Sequence, residues 1–319
     1  MKSITKHQRP GVANLALILG ILSIGFSPLL IRWANAPGVV SSFYRMGIGT
    51  VLMAYPFVYQ VRRRPEKLPR IGVLYAVAGG IFFSLDMFFW TTGIMMSGAT
   101  IPTLLSNTAP LWVGLGSWIF FRERQTSRFW IGLVVAMTGA SLVLFQVMRQ
   151  SIELGMGALF GVFSAFFYGA YHVASQHGRD HLNTISYFWI TTLVSTLCLL
   201  VYALVLRQPL LGYDKQTWVL FVIMGVLVQF FGWMFINFAQ GHIPAAIVAP
   251  TMLAQPLLTA LFAGLLLGES FAAWHFWGGM MIILGVFLVH RSRRRRLSDQ
   301  QKHDKTINLP VDTIEETGV

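Results

Sequence analysis

The sequence has a single cysteine, Cys198, inside an apolar run. That excludes a disulfide framework and a cysteine-based metal site. Acidic residues are scarce as well, 12 Asp and Glu against 24 Lys and Arg. Only Asp86 falls deep within an apolar stretch, the other eleven lying in loops, turns or tails, so paired carboxylates for acid and base work inside those stretches are lacking. Neither G-x-x-x-x-G-K-[ST] nor H-E-x-x-H occurs. The first absence argues against an ATP-driven pump and the second against a zinc hydrolase of that type. No catalytic residue, cofactor or metal site is expected.

What is present is apolar: 55% of the 319 residues are hydrophobic, 11% are charged, and the mean hydropathy is +0.62. A chain of this kind belongs in a lipid bilayer. Its basic excess does not point to nucleic acid, because the Lys and Arg residues cluster between apolar runs rather than over a folded surface. They read as topology signals. At the N-terminus, Lys2, Lys6 and Arg9 ahead of an apolar run, followed by Ala34, Asn35 and Ala36, imitate a cleaved signal peptide. The run from Gly11 to Ile31 is long enough to span, and Pro37 would sit just after the cut, so retention is expected.

Apolar windows give ten expected spans, at 12–31, 38–59, 71–93, 99–121, 129–147, 155–176, 184–206, 217–240, 243–267 and 273–290. Residues 1–11 precede them, and a tail at 291–319, basic at first and then acidic, is expected to be disordered with its basic start near anionic lipid. Alternate connecting segments beginning with the N-terminus hold nineteen Lys and Arg residues, whereas the other set holds four. Both termini are therefore expected in the cytoplasm, in the inner membrane of a bacterium.

Two stretches 146 residues apart repeat one another. PLWVGLGSWIFFRERQTSRFWIGLVVAMTGASLVL begins at Pro110, PLLTALFAGLLLGESFAAWHFWGGMMIILGVFLVH begins at Pro256, and without a gap Glu123 falls on Glu269, Gly132 on Gly278 and Gly139 on Gly285. The repeat divides the chain into units at 12–147 and 155–290, five spans each, and an odd number of spans places the second unit upside down in the membrane. Inverted repeats are an architecture of alternating access. Duplicated bundles also make channels and scaffolds, which stay open as alternatives, with an intramembrane enzyme a more distant one.

The chain resembles the drug/metabolite transporters of the EamA type. The resemblance is carried by the Pro256-x-x-Thr259 start, the Leu267-Gly268-Glu269 turn and the helix with Gly278 and Gly285, with a weaker first copy at Pro110, Glu123, Gly132 and Gly139. It extends over nearly the whole chain to His290. It implies an all-α integral membrane protein of ten transmembrane helices in two inverted five-helix repeats, transporting small metabolites and often exporting amino acids. The first copy departs from the pattern, since Arg122 stands where the second has Gly268, and its turn must be made without glycine's freedom.

Polar residues within the spans mark helices that share a cavity or are glued together. In the eighth span Gln229, Trp233 and Asn237 recur at helical spacing on one face. Trp90 and Asn107 from the first unit, Tyr168 and His172 from the sixth span, and Gln255 from the ninth complete the expected substrate-binding set. Aromatic walls with a few amides suit a small-molecule pocket. For His172 a neutral packing role is favoured over proton sensing. Arg45 and Asp86 both lie roughly 10 Å below the outer boundary and are expected to pair, because a lone charge there is costly. A carboxylate on the substrate has two candidate partners, a side chain such as Arg45 or the N-terminus of a broken helix. Glu123 and Glu269 are expected to cap the helices that follow them. The expected partners are a small-molecule substrate and the lipid bilayer, without nucleic acid, and a homodimer is admitted.

Overall fold

The computed structural model describes residues 10–63, 68–97, 100–143, 156–267 and 273–307, and these are helical throughout apart from short connections. Helices α1 (Pro10–Gly25) and α2 (Ser27–Ala34) form the first span, and α3 (Gly38–Arg63) and α4 (Arg70–Ser97) the next two. Then come α5 (Thr100–Ser106), α6 (Ala109–Phe121), α7 (Ser127–Val143), α8 (Met156–His181) and α9 (Thr184–Val205). Helix α10 runs Lys215–Gln240, and α11 (Ala245–Thr251), α12 (Gln255–Leu267) and α13 (Ala273–Ile307) complete the chain. Among the described residues, seven helical segments are long and apolar enough to cross a membrane, and Ala109–Phe121 and Ser127–Val143 are shorter apolar helices. With α3, whose apolarity is diluted by Ser41, Ser42 and Arg45, they account for ten spans.

Three of these spans are broken, and proline gives the reason. A proline lacks an amide donor, and its ring clashes with the carbonyl four residues back, so a helix tends to be interrupted ahead of it. Pro28 follows the break at Phe26, Pro110 follows the turn at Asn107 and Thr108, and Pro256 follows the 3₁₀ turn at Met252–Ala254. The second and third breaks coincide under the repeat's offset. Both fourth helices, expected as continuous spans, are thus interrupted at matching points.

Helix pairings are reciprocal between the units. Helix α4 packs on α8 as α1 packs on α10, and α3 packs on α10 as α9 packs on α4. The fifth helices, α7 and α13, pack on each other. Their glycines make that approach close: a Cβ on Gly139 would lie 2.6 Å from the Gly278 carbonyl, and one on Gly285 2.5 Å from the Gly132 carbonyl. Close helix approach in membranes depends on such small residues, because apolar burial gives little drive where the solvent is itself lipid.

The turn after α6 is made as its sequence requires, with Arg122 in the left-handed region at φ 56. Helix α7 then begins under Thr126, whose hydroxyl accepts the Phe129 amide at 3.3 Å. Glu123, expected as the cap, instead accepts from the Gln176 side chain at 3.2 Å. Glu269 lies outside the described residues. Residues 291–307, expected to be disordered, continue α13 as helix through Ile307.

Candidate functional site

A small pocket lies between the two interrupted fourth helices. Ser106, Asn107, Ala109 and Pro110 line it from the first unit, Ala249, Met252, Leu253 and Gln255 from the second, and Tyr168 of α8 closes it. Its volume is about 20 Å³, room for roughly one water. Asn107, Tyr168 and Gln255, three residues of the expected set, therefore meet here. The Tyr168 hydroxyl donates to Met252 Sδ at 3.7 Å, Gln255 Nε2 donates to the Ile24 carbonyl at 3.5 Å, and Asn107 Nδ2 has no protein partner.

Beside the pocket are the two intramembrane charges. Arg45 is 5% exposed and Asp86 2% exposed. The direct pair expected from their matched depth does not form, and the hydrogen bonds of each go elsewhere. Arg45 Nη1 donates to Ser27 Oγ at 3.4 Å and Nη2 to Met87 Sδ at 3.3 Å, while Nε has no partner. Asp86 Oδ1 accepts from Ser164 Oγ at 2.6 Å, and Ser164 Oγ lies 2.9 Å from Ser106 Oγ. A chain of hydroxyls thus joins Asp86 to the pocket wall. Ser106, which was not in the expected set, supplies the link.

The eighth span departs from regular geometry. Met224–Trp233 is π-helical, with an α-helix on either side. Because a π-helix takes more residues per turn, it shifts the register on which the Gln229, Trp233 and Asn237 stripe was read. Gln229 packs against α3, where a Cβ on Gly49 would come within 2.5 Å of its Cγ. It is completely buried, and neither amide atom has a protein partner. Trp233 turns to other rings, with centroids 4.6 Å from Phe83, 5.6 Å from Tyr171 and 6.1 Å from Tyr168. Trp90 stands apart, donating to Thr103 at 3.0 Å between α4 and α5.

Toward the C-terminal end of α10 a second polar network is almost fully satisfied. Asn237 Nδ2 donates to the Tyr171 hydroxyl at 2.9 Å, and Ser175 lies 3.0 Å from Asn237 Oδ1 and 2.7 Å from Gln240 Oε1. Gln240 Nε2 contacts His172 Nδ1 at 2.5 Å. With Gln240 as donor, His172 accepts through Nδ1, while its Nε2 has no protein partner. Gln176 bridges the units, donating to Glu123 and accepting from the Ala245 amide at 2.5 Å. Arg179 ties the same end together through the Asn237 carbonyl at 3.2 Å, the Thr184 hydroxyl at 2.6 Å and the Leu182 carbonyl. Nothing in the sequence pointed to this last role, since Arg179 reads there as one more loop charge.

Comparison with known proteins gives this arrangement a context. The profile of the EamA-like transporter family matches residues 11–145 and again 155–291. The chain belongs to that family. It is 25% identical over 214 residues to an uncharacterized transporter of Synechocystis sp., covering 64% of each chain. It is 21% identical over 278 residues to an uncharacterized transporter of Bacillus subtilis, covering 83% of this chain and 89% of the relative. A riboflavin transporter of Rhizobium johnstonii is 24% identical over 218 residues, covering 68% of this chain and 70% of its own. A solved crystal structure shares the fold, with a TM-score of 0.72 at 16% identity over 87% of this chain and 96% of the other. The protein is an integral membrane transporter with a small-molecule substrate.

Proposed function

We propose that this member of the EamA-like transporter family is a secondary transporter that exports small metabolites, such as amino acids or aromatic compounds, by alternating access. The carrying observation is the pocket between matching breaks in the two fourth helices, reached by residues of both units. Interrupted helices at a repeat interface free backbone groups for a substrate and let the two units move about it. With room for about one water, the pocket represents an occluded state. The satisfied network at the end of α10 is then a closed gate, and its opening admits substrate.

The Tyr168 ring in the pocket wall, with Trp233 and Tyr171 packed against it, suits a flat or apolar group, to which Asn107 and Gln255 add orientation. The riboflavin transporter of Rhizobium johnstonii makes riboflavin one rational probe. Purified protein in liposomes would be loaded with pooled metabolites and tested for saturable efflux and counterflow. Flux without saturation or counterflow would support the channel reading, and product formation the enzyme reading. The charge distribution supports a topology with both termini in the cytoplasm. Cysteine tags at Leu68 and Leu211, in a background lacking Cys198, are expected to react from opposite sides of the membrane. Reaction from one side alone would overturn the inverted topology.

A further inference from the structure

We propose that Gln255 couples the pocket to a gate where α12 lies against the break between α1 and α2: its amide holds that gate shut, and a bound substrate opens it by drawing the amide away. This rests on the transporter reading above and gives one residue a role within it. Pro28 has no N–H to offer the Ile24 carbonyl four residues back. Gln255 Nε2 donates to that carbonyl instead, at 3.5 Å. One turn further along α12, Thr259 Oγ1 donates to the Gly25 carbonyl at 2.8 Å, and beyond it the Phe262 ring meets Phe26 edge to face with centroids 5.3 Å apart. Positions 255, 259 and 262 share one face of a helix. Gly25 permits the approach, since a Cβ there would lie 3.0 Å from Leu258 Cβ. This gate is remote from the α10 network: Ala245, which Gln176 holds, and Phe262 lie toward opposite ends of the ninth span, about 25 Å apart along it.

Of the three α12 residues in this contact, Gln255 is the one that also lines the pocket. A pocket with room for about one water cannot take a metabolite unless its wall moves. Gln255 is free to yield, because its bond to the Ile24 carbonyl is long and a substrate group can replace it. It is also the first residue of α12, so shifting it carries Thr259 and Phe262 of the same helix away from Gly25 and Phe26. The matching contact in the first unit is built differently. Ala109 and Val113 stand where the second unit has Gln255 and Thr259, and they face the unbroken α8 at Gly169, where an added Cβ would lie 3.2 Å from the Ala109 carbonyl and 3.3 Å from the Val113 nitrogen. Side-chain hydrogen bonds fasten the one contact, and close main-chain packing the other. Occupancy of the pocket therefore acts on the α12 gate.

The test uses the full chain carrying Cys198→Ala and Ser27→Cys, because Ser27 is buried next to this contact. Opening of the gate is read as the rate at which the new thiol reacts with a water-soluble maleimide in detergent micelles. Without ligand, Gln255→Met and Thr259→Val are each expected to react about fivefold faster than the parent, the weight of one net hydrogen bond in the equilibrium between closed and open. The L-amino acids and riboflavin are the probes. Any of them that shows saturable counterflow in liposomes is expected to speed the reaction of the parent and of Thr259→Val, which keeps the sensing amide, but not that of Gln255→Met. Should Gln255→Met fail to insert, Gln255→Asn, whose amide is one methylene short of the carbonyl, takes its place. Reaction of the Gln255 variant at the parent rate overturns the proposal, as does equal acceleration of parent and variant by a transported probe. A probe response lost in Thr259→Val as completely as in Gln255→Met would show general loosening of the helices and overturns it too. Absence of counterflow for every probe counts against the transporter reading, while the ligand-free rates still decide whether Gln255 holds the gate.

Discussion

Two polar clusters flank the Trp233 rings, built from similar residue types and left in opposite condition. Toward the C-terminal end of α10, Asn237, Gln240, Ser175 and Tyr171 exchange hydrogen bonds of 2.7 to 3.0 Å, and His172 Nε2 is the one atom among these residues without a partner. Around α3, by contrast, Gln229 has two unpartnered amide atoms and Arg45 one unpartnered nitrogen. A buried polar group left without a partner costs about 1 to 3 kcal/mol. The first cluster therefore holds helices together, whereas the second keeps unused capacity that only a ligand, a water or another conformation can satisfy. Polarity alone does not mark a binding site. Unmet hydrogen-bonding capacity beside a pocket is the more selective sign.

The largest effect should come from a region that belongs to neither cluster, and it sets the scale for both. Gly139→Leu would drive a side chain into the Gly278 backbone, where even a Cβ comes within 2.6 Å. Helices α7 and α13 must separate, and a loss of about 3 kcal/mol or more is expected in denaturant unfolding in detergent. Unchanged stability would mean that the close approach of these helices contributes little.

Within the satisfied cluster, Asn237→Leu removes the donor to Tyr171 and one acceptor of Ser175. A destabilisation of about 2 kcal/mol is expected, because these buried partners stay behind. The opposite sign is expected for Gln229→Met, which replaces an amide lacking partners with a flexible apolar chain of similar length. Its unfolding midpoint should stay level or rise by the equivalent of about 1 kcal/mol. If the two variants lose stability equally, the contrast between the clusters is wrong.

The smallest effect concerns the start of α10, outside the membrane. The Asp214 carboxylate accepts the Thr217 amide at 2.8 Å, and hydrogen bonds from Thr217 hold its pKa below the ordinary aspartate value. A carboxylate with a lowered folded-state pKa contributes stability that is present above its unfolded value and is lost as pH falls through the folded one. Hydrogen exchange at the Thr217 amide should therefore show less protection below about pH 4 relative to the intrinsic rate. Asp214→Ala should lack that pH dependence. A wild-type profile matching that of the variant would remove Asp214 from the cap.

Much of this protein was legible in its sequence. Apolar run length gave the spans because a bilayer of fixed thickness demands about twenty apolar residues of every helix that crosses it. The offset of 146 gave the repeat, and glycines seven residues apart gave the seam, since only small residues allow helices so close. Arg45 and Asp86 stood out for the same reason of cost. The proline positions were visible too, at 28, 110 and 256. Their consequence, a pocket between matching breaks, needed the two units brought face to face.

Other features were decided by tertiary structure. Helical periodicity assumes 3.6 residues per turn, so it could not anticipate a π-helical segment that sends Gln229 toward α3 and Trp233 toward α4 and α8. Matched depth brought Arg45 and Asp86 to one level, but the partners they found, Ser27 and Met87 accepting from Arg45 and Ser164 donating to Asp86, were set by how other helices packed against each. Glu123 was placed by its turn, yet Gln176 from the other unit claimed it while Thr126 capped α7. Sequence fixes what each residue can donate, accept or bury through local chemistry. Which of those capacities is met, and which is left for a substrate, is set by neighbours distant in the chain.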